Sequence, residues 1–427
     1  MVMDITINKS YKQTELGIIP EDWDVSPLGE KTIKVGSGIT PTGGEKVYKE
    51  VGRPFLRSQN VGWGSLLLED LVYIDEKTHS TFSSTEIIEG DVFLNITGAS
   101  IGRSAVANSK LIRGNVNQHV CIIRTDKNQL IPKYLNYFLL SYSGQKQIES
   151  FQAGGNRQGL NFGQIKSFLI STPPSTAEQT VIATALSETD ALIEKLEELI
   201  AKKKAIKQGT MQQLLTGKKR LPGFSGEWEV KKLGEIGSFS KGQGIKKDQS
   251  QSGELPCIRY GELYTRHNNY IKQYYSFISR EVALTAKKLT VGDILFAGSG
   301  ETKEEIGKCA AFIDNIEAYA GGDVVIFSPY VTDSLFLGYL LNSPIVIKQK
   351  ASKGQGDAVV HISASNLKQV KIPVPPTVKE QIAIATILSD MDAEIESLDQ
   401  KRDKYLMLKQ GMMQQLLTGR IRIYANN

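Results

Sequence analysis

The chain has 427 residues, 40% hydrophobic and 23% charged, with a net charge of +5 and a pI of about 8.8. That composition describes a folded, mildly basic protein with room for more than one core, and it excludes a disordered tail or a histone-like polycation. Three scattered cysteines (Cys121, Cys257, Cys309) argue against a disulfide framework, the N-terminus lacks the apolar core of a signal peptide, and no apolar run reaches transmembrane length; a cytoplasmic protein without membrane contact is expected.

From the N-terminus, Trp23-Asp-Val-Ser-Pro-Leu-Gly-Glu30 opens a segment of short β-rich runs broken by glycine turns, with strands expected at 92–96 and 120–124 and a helix at 133–140. Pro173-Pro174 stops this segment and precedes a long helix, since proline suits a first helical turn, where an amide N–H lacks a partner anyway. Apolar residues at three- and four-residue steps then run through Ile182, Leu186, Ile193, Leu196, Ile200, Ile206, Met211 and Leu214, and Thr216-Gly217 closes the helix at a left-handed cap.

The pattern then begins again. Trp228-Glu-Val-Lys-Lys-Leu-Gly-Glu235 opens a second mixed segment, with strands expected at 294–296 and 324–327 and a helix at 334–341. Pro375-Pro376 precedes a second long helix, striped by Ile382, Leu388, Met391, Ile395, Leu398, Tyr405, Leu408, Met412 and Leu416. Lys207-Gln-Gly-Thr-Met-Gln-Gln-Leu-Leu-Thr-Gly217 returns 202 residues later as Lys409-Gln-Gly-Met-Met-Gln-Gln-Leu-Leu-Thr-Gly419. The chain is one module written twice. About 40 helical residues make a rod of about 60 Å, and two such stripes can bury each other as an antiparallel coiled coil. The expected fold is mixed α/β (α+β), with a pseudo-two-fold repeat: globular domains at 1–172 and 220–374, separated by long helices at 173–219 and 375–427.

Catalytic signatures do not appear. There is no Gly-x-x-x-x-Gly-Lys-Ser/Thr phosphate loop, no dinucleotide fingerprint and no amino-methyltransferase tetrapeptide, and the four histidines fall in no metal-ligand spacing. Asp293 with Glu301 and Lys303 is the best nuclease candidate. The matching place in the first copy, Ile96-Thr-Gly-Ala-Ser-Ile-Gly102, has no acid, so a solvated loop is the stronger reading.

The sequence Ile170-Ser-Thr-Pro-Pro-Ser-Thr-Ala-Glu-Gln-Thr-Val-Ile182 and its counterpart Ile372-Pro-Val-Pro-Pro-Thr-Val-Lys-Glu-Gln-Ile-Ala-Ile384 resemble the motif that opens each long helix in specificity (S) subunits of type I restriction-modification systems. The Met-Gln-Gln-Leu-Leu-Thr-Gly helix ends and the domain openings Leu16-Gly-Ile-Ile-Pro-Glu-Asp-Trp23 and Leu221-Pro-Gly-Phe-Ser-Gly-Glu-Trp228 are similar to that family as well, in both copies and in order. The resemblance implies two target-recognition domains, each reading one half of a split double-stranded DNA site. It implies near-identical helical parts that dock two methyltransferase (M) subunits, and restriction (R) subunits when present. The S subunit would be non-catalytic and hold no cofactor or metal; S-adenosylmethionine would sit on the M subunits, which methylate adenine at N6. A coiled-coil adaptor that binds only proteins is the competing reading, but it leaves the divergence of the two domains unexplained.

The repeat also sorts the candidate contacts. Residues kept in both copies suit phosphate or structure, because they cannot distinguish two half-sites. Arg57 with Arg259, and Arg103 with Lys308, are such pairs. Residues that differ suit base reading: Ser58, Gln59 and Asn60 against Tyr260, Glu262 and Tyr264, the loop Asn156, Arg157 and Gln158 against Lys353 and Gln355, and Lys303 in the second-copy insertion. For M-subunit docking the shared helix ends supply Met211, Leu214, Leu215, Met413, Leu416 and Leu417.

Overall fold

Strand residues in this chain divide between two cores by alternation. In the strand Val92–Asn95, Val92 and Leu94 enter one core and Phe93 enters another; in Val120–Thr125, Cys121 and Ile123 face the first and Val120 and Ile122 the second. Side chains on a strand point alternately to opposite faces, so a run that is apolar at every position marks a sheet covered on both sides. The computed structural model describes residues 3–6, 10–152, 159–356 and 359–425. It divides into two units, Met1–Glu197 with Lys401–Asn427, and Glu198–Gln400.

In the first unit an antiparallel sheet runs in the order Thr32–Ser37, Val120–Thr125, Val92–Asn95, Ser104–Val106. A smaller sheet is built from Asn115–Val116, Arg53–Leu56 and Val72–Ile74. The helix Pro132–Leu140 supplies Tyr134, Leu135 and Phe138 to the core that Val92 and Leu94 enter, and Val181, Ile182 and Leu186 of the first long helix complete it. The second unit repeats this plan: Gly237–Lys241, Val324–Pro329, Ile294–Ala297, Cys309–Ala311. Its strands partition in the same way, with Phe296 and Phe327 in one core and Leu295 and Ile326 in the other. The helix Ser334–Leu341 takes the place of Pro132–Leu140.

The long helices span Thr176–Leu214 and Val378–Leu416, 39 residues each. Each unit holds the start of one and the end of the other, and in each unit the two segments run antiparallel. In the first, Glu178 meets Arg422 and Asp190 meets Lys409; in the second, Lys203 meets Glu394, Lys207 meets Asp392 and Arg220 meets Glu380. The apolar stripe is largely as expected, with two corrections. Ile382 is exposed and Ile384, the true counterpart of Ile182, is buried. Ile206 and Leu408, which are equivalent positions, are both exposed.

Each helix end is tied to a domain opening. Gly419 has φ +66°, and a Cβ there would come within 2.5 Å of Pro20 and 3.0 Å of the Trp23 ring. Gly217 has φ +67°, and a Cβ there would lie 3.1 Å from Trp228. Glycine is therefore required twice over, for the left-handed cap and for the close approach of an indole. The end of the second helix packs on the opening of the first domain, and the backbone of Arg422–Ala425 pairs with Met3–Thr6.

Candidate nucleic-acid interface

The four main strands of each unit end at a common rim. In the first unit Ser37 pairs with Cys121, Asn95 with Val120 and Leu94 with Ser104, which brings these strand ends to one edge. Just beyond the edge stand Thr97, His119 and Arg103. The Thr97 hydroxyl lies 2.6 Å from His119 Nδ1. Arg103 is half-buried, and its guanidinium has no partner among the described residues.

The segment Ser58–Asn60 abuts this rim, because the Asn95 side-chain amide donates to the Ser58 carbonyl at 2.8 Å. Its side chains mostly serve the fold. Asn60 is buried and donates to the Leu67 carbonyl and to Asp70, and its own oxygen accepts from the Arg57 amide. Arg57 donates to the Asp70 carbonyl at 2.8 Å and lies over the Tyr48 ring, while Gln59 donates to the Asp70 carboxylate. Asn156, Arg157 and Gln158 lie outside the described residues; the chain resumes at Gly159, which bridges Thr97.

In the second unit Lys241 pairs with Val325, Ala297 with Val324 and Phe296 with Cys309. The rim beyond carries Ser299, Asp323 and Lys308. Ser299 pairs with His361 in a short two-stranded ladder, and its hydroxyl lies 2.9 Å from His361 Nδ1. An open cleft of about 470 Å³ is lined by Ser240, Lys241, Ser299, Asp323, His361 and Ser363.

The other candidates of this unit gather around that rim. Gln355 exchanges backbone hydrogen bonds with His361 at 2.9 and 2.7 Å, and the Lys353 carbonyl accepts from Asn366. Lys308 donates to the Tyr264 carbonyl at 2.9 Å, and burial lowers its pKa. The Tyr264 hydroxyl is buried, and burial, with Glu305 nearby, pushes its pKa up to about 12. Arg259 donates to the Ser250 hydroxyl at 3.3 Å; unlike Arg57 it shows no carboxylate ion pair among the described residues. Tyr260 and Lys303 are exposed.

Two expectations are redirected. Asp293 is buried in a turn, where it accepts from Ser328 at 2.5 Å and from the Thr290 amide at 2.9 Å, so its carboxylate is committed to the fold and the nuclease reading loses its central residue. Leu214, Leu215, Leu416 and Leu417 are buried in the cores of their units, with Met211 and Met413 packed against them. The identical apolar positions of the helix ends are thus filled by intramolecular packing, and the exposed identical positions are polar: Gln208, Gly209 and Gln212, with Gln410, Gly411 and Gln414. The thiols of Cys121 and Cys257 are pushed up to about 12 and that of Cys309 to about 11, in each case chiefly by burial, so none is a nucleophile at neutral pH.

Sequence reasoning missed His119, His361 and Asp323. A comparison of like positions could not pair the two histidines, because they occupy different places in the two copies.

The family model for the type I restriction modification DNA specificity domain matches residues 20–208 and again residues 225–404. This chain belongs to the type I restriction-modification DNA specificity family. Its relatives include a Methanocaldococcus jannaschii protein named for the specificity subunit of type I restriction enzyme MjaX, 28% identical over 97% of both chains. The EcoKI specificity subunit of Escherichia coli K12 is 22% identical over 94% of this chain and 89% of its own. The fold resembles that of the type I S subunit from M. genitalium, with a TM-score of 0.60 at 14% identity over 95% of this chain and 96% of that one. As a specificity subunit it serves DNA sequence recognition, and the catalytic activities of such systems reside in other subunits. No helix among the described residues is long and apolar enough to cross a membrane.

Proposed function

We propose that each unit of this specificity subunit reads one half of an asymmetric, bipartite DNA site, and that the two like helix ends dock two M subunits, with R subunits joining when present, in the cytoplasm. The observation that carries this is the contrast between the two surfaces. The rims differ at one register position, where one unit presents His119 beside Thr97 and the other presents Asp323 beside Ser299 and His361. Different groups read different bases, so the two half-sites differ. The exposed helix strips, by contrast, carry the same Gln-Gly-x-x-Gln.

Gly209 and Gly411 strengthen the docking reading. Both lie inside a long helix, both are exposed, and nothing stands within 4 Å of a Cβ built on either. Glycine costs about 1 kcal/mol relative to alanine in a helix interior, and here the fold itself gives no return. A partner backbone that approaches these points closely supplies the reason to keep them. The polar rims and basic residues suit DNA, with Arg57 and Arg259 holding equivalent places beside them and Arg57 acting as a positioning residue through Asp70.

The test is purification of the chain with and without its M subunit, followed by DNA binding and methylation measurements. The expected result is no methylation by the chain alone and site-specific N6-adenine methylation by the complex. A complex that forms but shows no sequence preference would support the protein-only adaptor instead.

A further inference from the structure

Strand register, which is independent of sequence identity, aligns the two rims. Val120 pairs with Asn95 in the first unit as Val324 pairs with Ala297 in the second. The residue that precedes this pair, at the mouth of the rim, is His119 in one unit and Asp323 in the other. The same alignment places Thr97 opposite Gly159 and Ser299 opposite His361. Each rim therefore has one hydroxyl at a shared position and one imidazole bonded to it, but the imidazole arrives from different strands. In the second unit its transfer to position 361 leaves a carboxylate where the first unit has a histidine.

The chemistry of the two groups differs in kind. An aspartate only accepts hydrogen bonds. Asp323 is exposed, lines the cleft beside Ser299 and His361, and among the described residues engages the fold through its backbone carbonyl, which accepts from the Gly298 amide at 2.9 Å. A carboxylate repels a phosphate, so a group that faces DNA from this position suits a base edge that donates. In the major groove those donors are the amino groups of adenine and cytosine. His119 is engaged at both ring nitrogens, Nδ1 by the Thr97 hydroxyl at 2.6 Å and Nε2 by the side-chain amide nitrogen of the exposed Gln118 at 3.3 Å. An amide nitrogen only donates, so Nε2 accepts from Gln118, Nδ1 carries the proton and donates to Thr97, and the second amide hydrogen of Gln118 is left for a base-edge acceptor.

We propose that His119 and Asp323 are specificity-determining residues at equivalent register positions. Asp323 selects an amino-bearing base, adenine or cytosine, in one half-site, and His119, by orienting the Gln118 amide, selects an acceptor edge in the other. Thr97 and the Ser299–His361 pair are positioning groups. This rests on the reading that the chain recognises DNA through its two rims.

The experiment uses the full chain co-produced with its M subunit, reading methylated sites by sequencing and bound duplexes from a randomised pool. Asp323→Asn is expected to lose at least about tenfold of its discrimination at one position in one half-site, as one good base contact provides. His119→Ala is expected to do the same in the other half only. Asp323→His is the second variant at that site, with a changed preferred base expected. Retention of the parental sequence by folded Asp323→Asn or Asp323→His overturns the proposal. So does loosening of both halves by one substitution, or loss of all DNA binding, since a base-reading group leaves non-specific binding in place. A parental complex without any preferred sequence instead overturns the broader DNA-recognition reading.

Discussion

Arg422 grips Glu178 across 244 residues of chain, donating from Nε and Nη2 at 2.8 and 2.6 Å, and Arg220 grips Glu380 in the same bidentate way at 2.6 and 2.7 Å. The two pairs are related by the repeat interval of 202 residues. Each joins the base of one long helix to the segment just beyond the end of the other. Arg422 also holds Asp22, and the two carboxylates raise its pKa further above its ordinary value. Both glutamates are buried.

Removing Glu178 leaves the buried Arg422 guanidinium with only the half-exposed Asp22 as counter-ion. Glu178→Ala is expected to destabilise the first unit by about 3 kcal/mol, the lower end of the cost of breaking a buried pair, because Asp22 still holds Arg422. Glu178→Leu combined with Arg422→Met should recover most of that, because an apolar pair removes both desolvation penalties. Urea denaturation of the three proteins checks this; a Glu178→Ala cost under about 1 kcal/mol would show that the pair is solvated in solution.

The two helix glycines give opposite effects on stability and assembly. Gly209→Ala and Gly411→Ala should each stabilise the isolated chain by up to about 1 kcal/mol, as helix propensity dictates. The same changes should weaken association with the M subunit, because a methyl group intrudes where a partner backbone approaches. Thermal melts and titration calorimetry give the two readouts. Unchanged M-subunit affinity in both variants would remove glycine from the docking surface.

Acid should loosen the second unit through His267. Burial first, and then the charge of Lys308, lower its pKa to about 4 from an ordinary 6.5, and its Nε2 is buried without a hydrogen-bond partner among the described residues. Between those values the unfolded chain binds a proton that the folded chain refuses, so stability present above pH 6.5 is lost as the pH falls towards 4. Allowing for solvent screening, the loss is about 1–2 kcal/mol. His267→Phe should flatten that part of the pH–stability profile, and a profile identical to the parent's would assign the slope to other groups.

Exchanging residues 23–172 for the corresponding domain of a related subunit should change one half of the methylated sequence only. Base contacts are local to the domain that makes them. Methylome sequencing that found both halves altered would contradict the modular reading.

Much of this molecule was legible in the chain itself, because its elements carry strong local signals. Two Pro-Pro starts and a helical apolar period marked both long helices, but the second, expected to run to 427, ends at Leu416, where Gly419 caps it and Arg422–Ala425 forms a strand. Buried strands such as Val92–Asn95 announced themselves as continuous apolar runs, and the repeat placed them twice. The absence of recognisable catalytic motifs and the two-domain plan followed from the same duplication.

Other features depended on which residues meet in space. The leucines at the helix ends are repeated because each end fills a core and caps a tryptophan, as Gly419 does against Trp23, a contact between residues nearly 400 positions apart. Periodicity identifies an apolar face but not what covers it, so docking and packing read alike in one dimension. The rim shows the limit most clearly. His119 and His361 sit at unlike positions, and only backbone register reveals that each completes the same hydroxyl–imidazole pair and that Asp323 stands where His119 does. Local sequence determines helices, strands and turns because their hydrogen bonds and caps are short-range. The groups that face a ligand come from several strand ends at once, and only the pairing of those strands decides who stands beside whom.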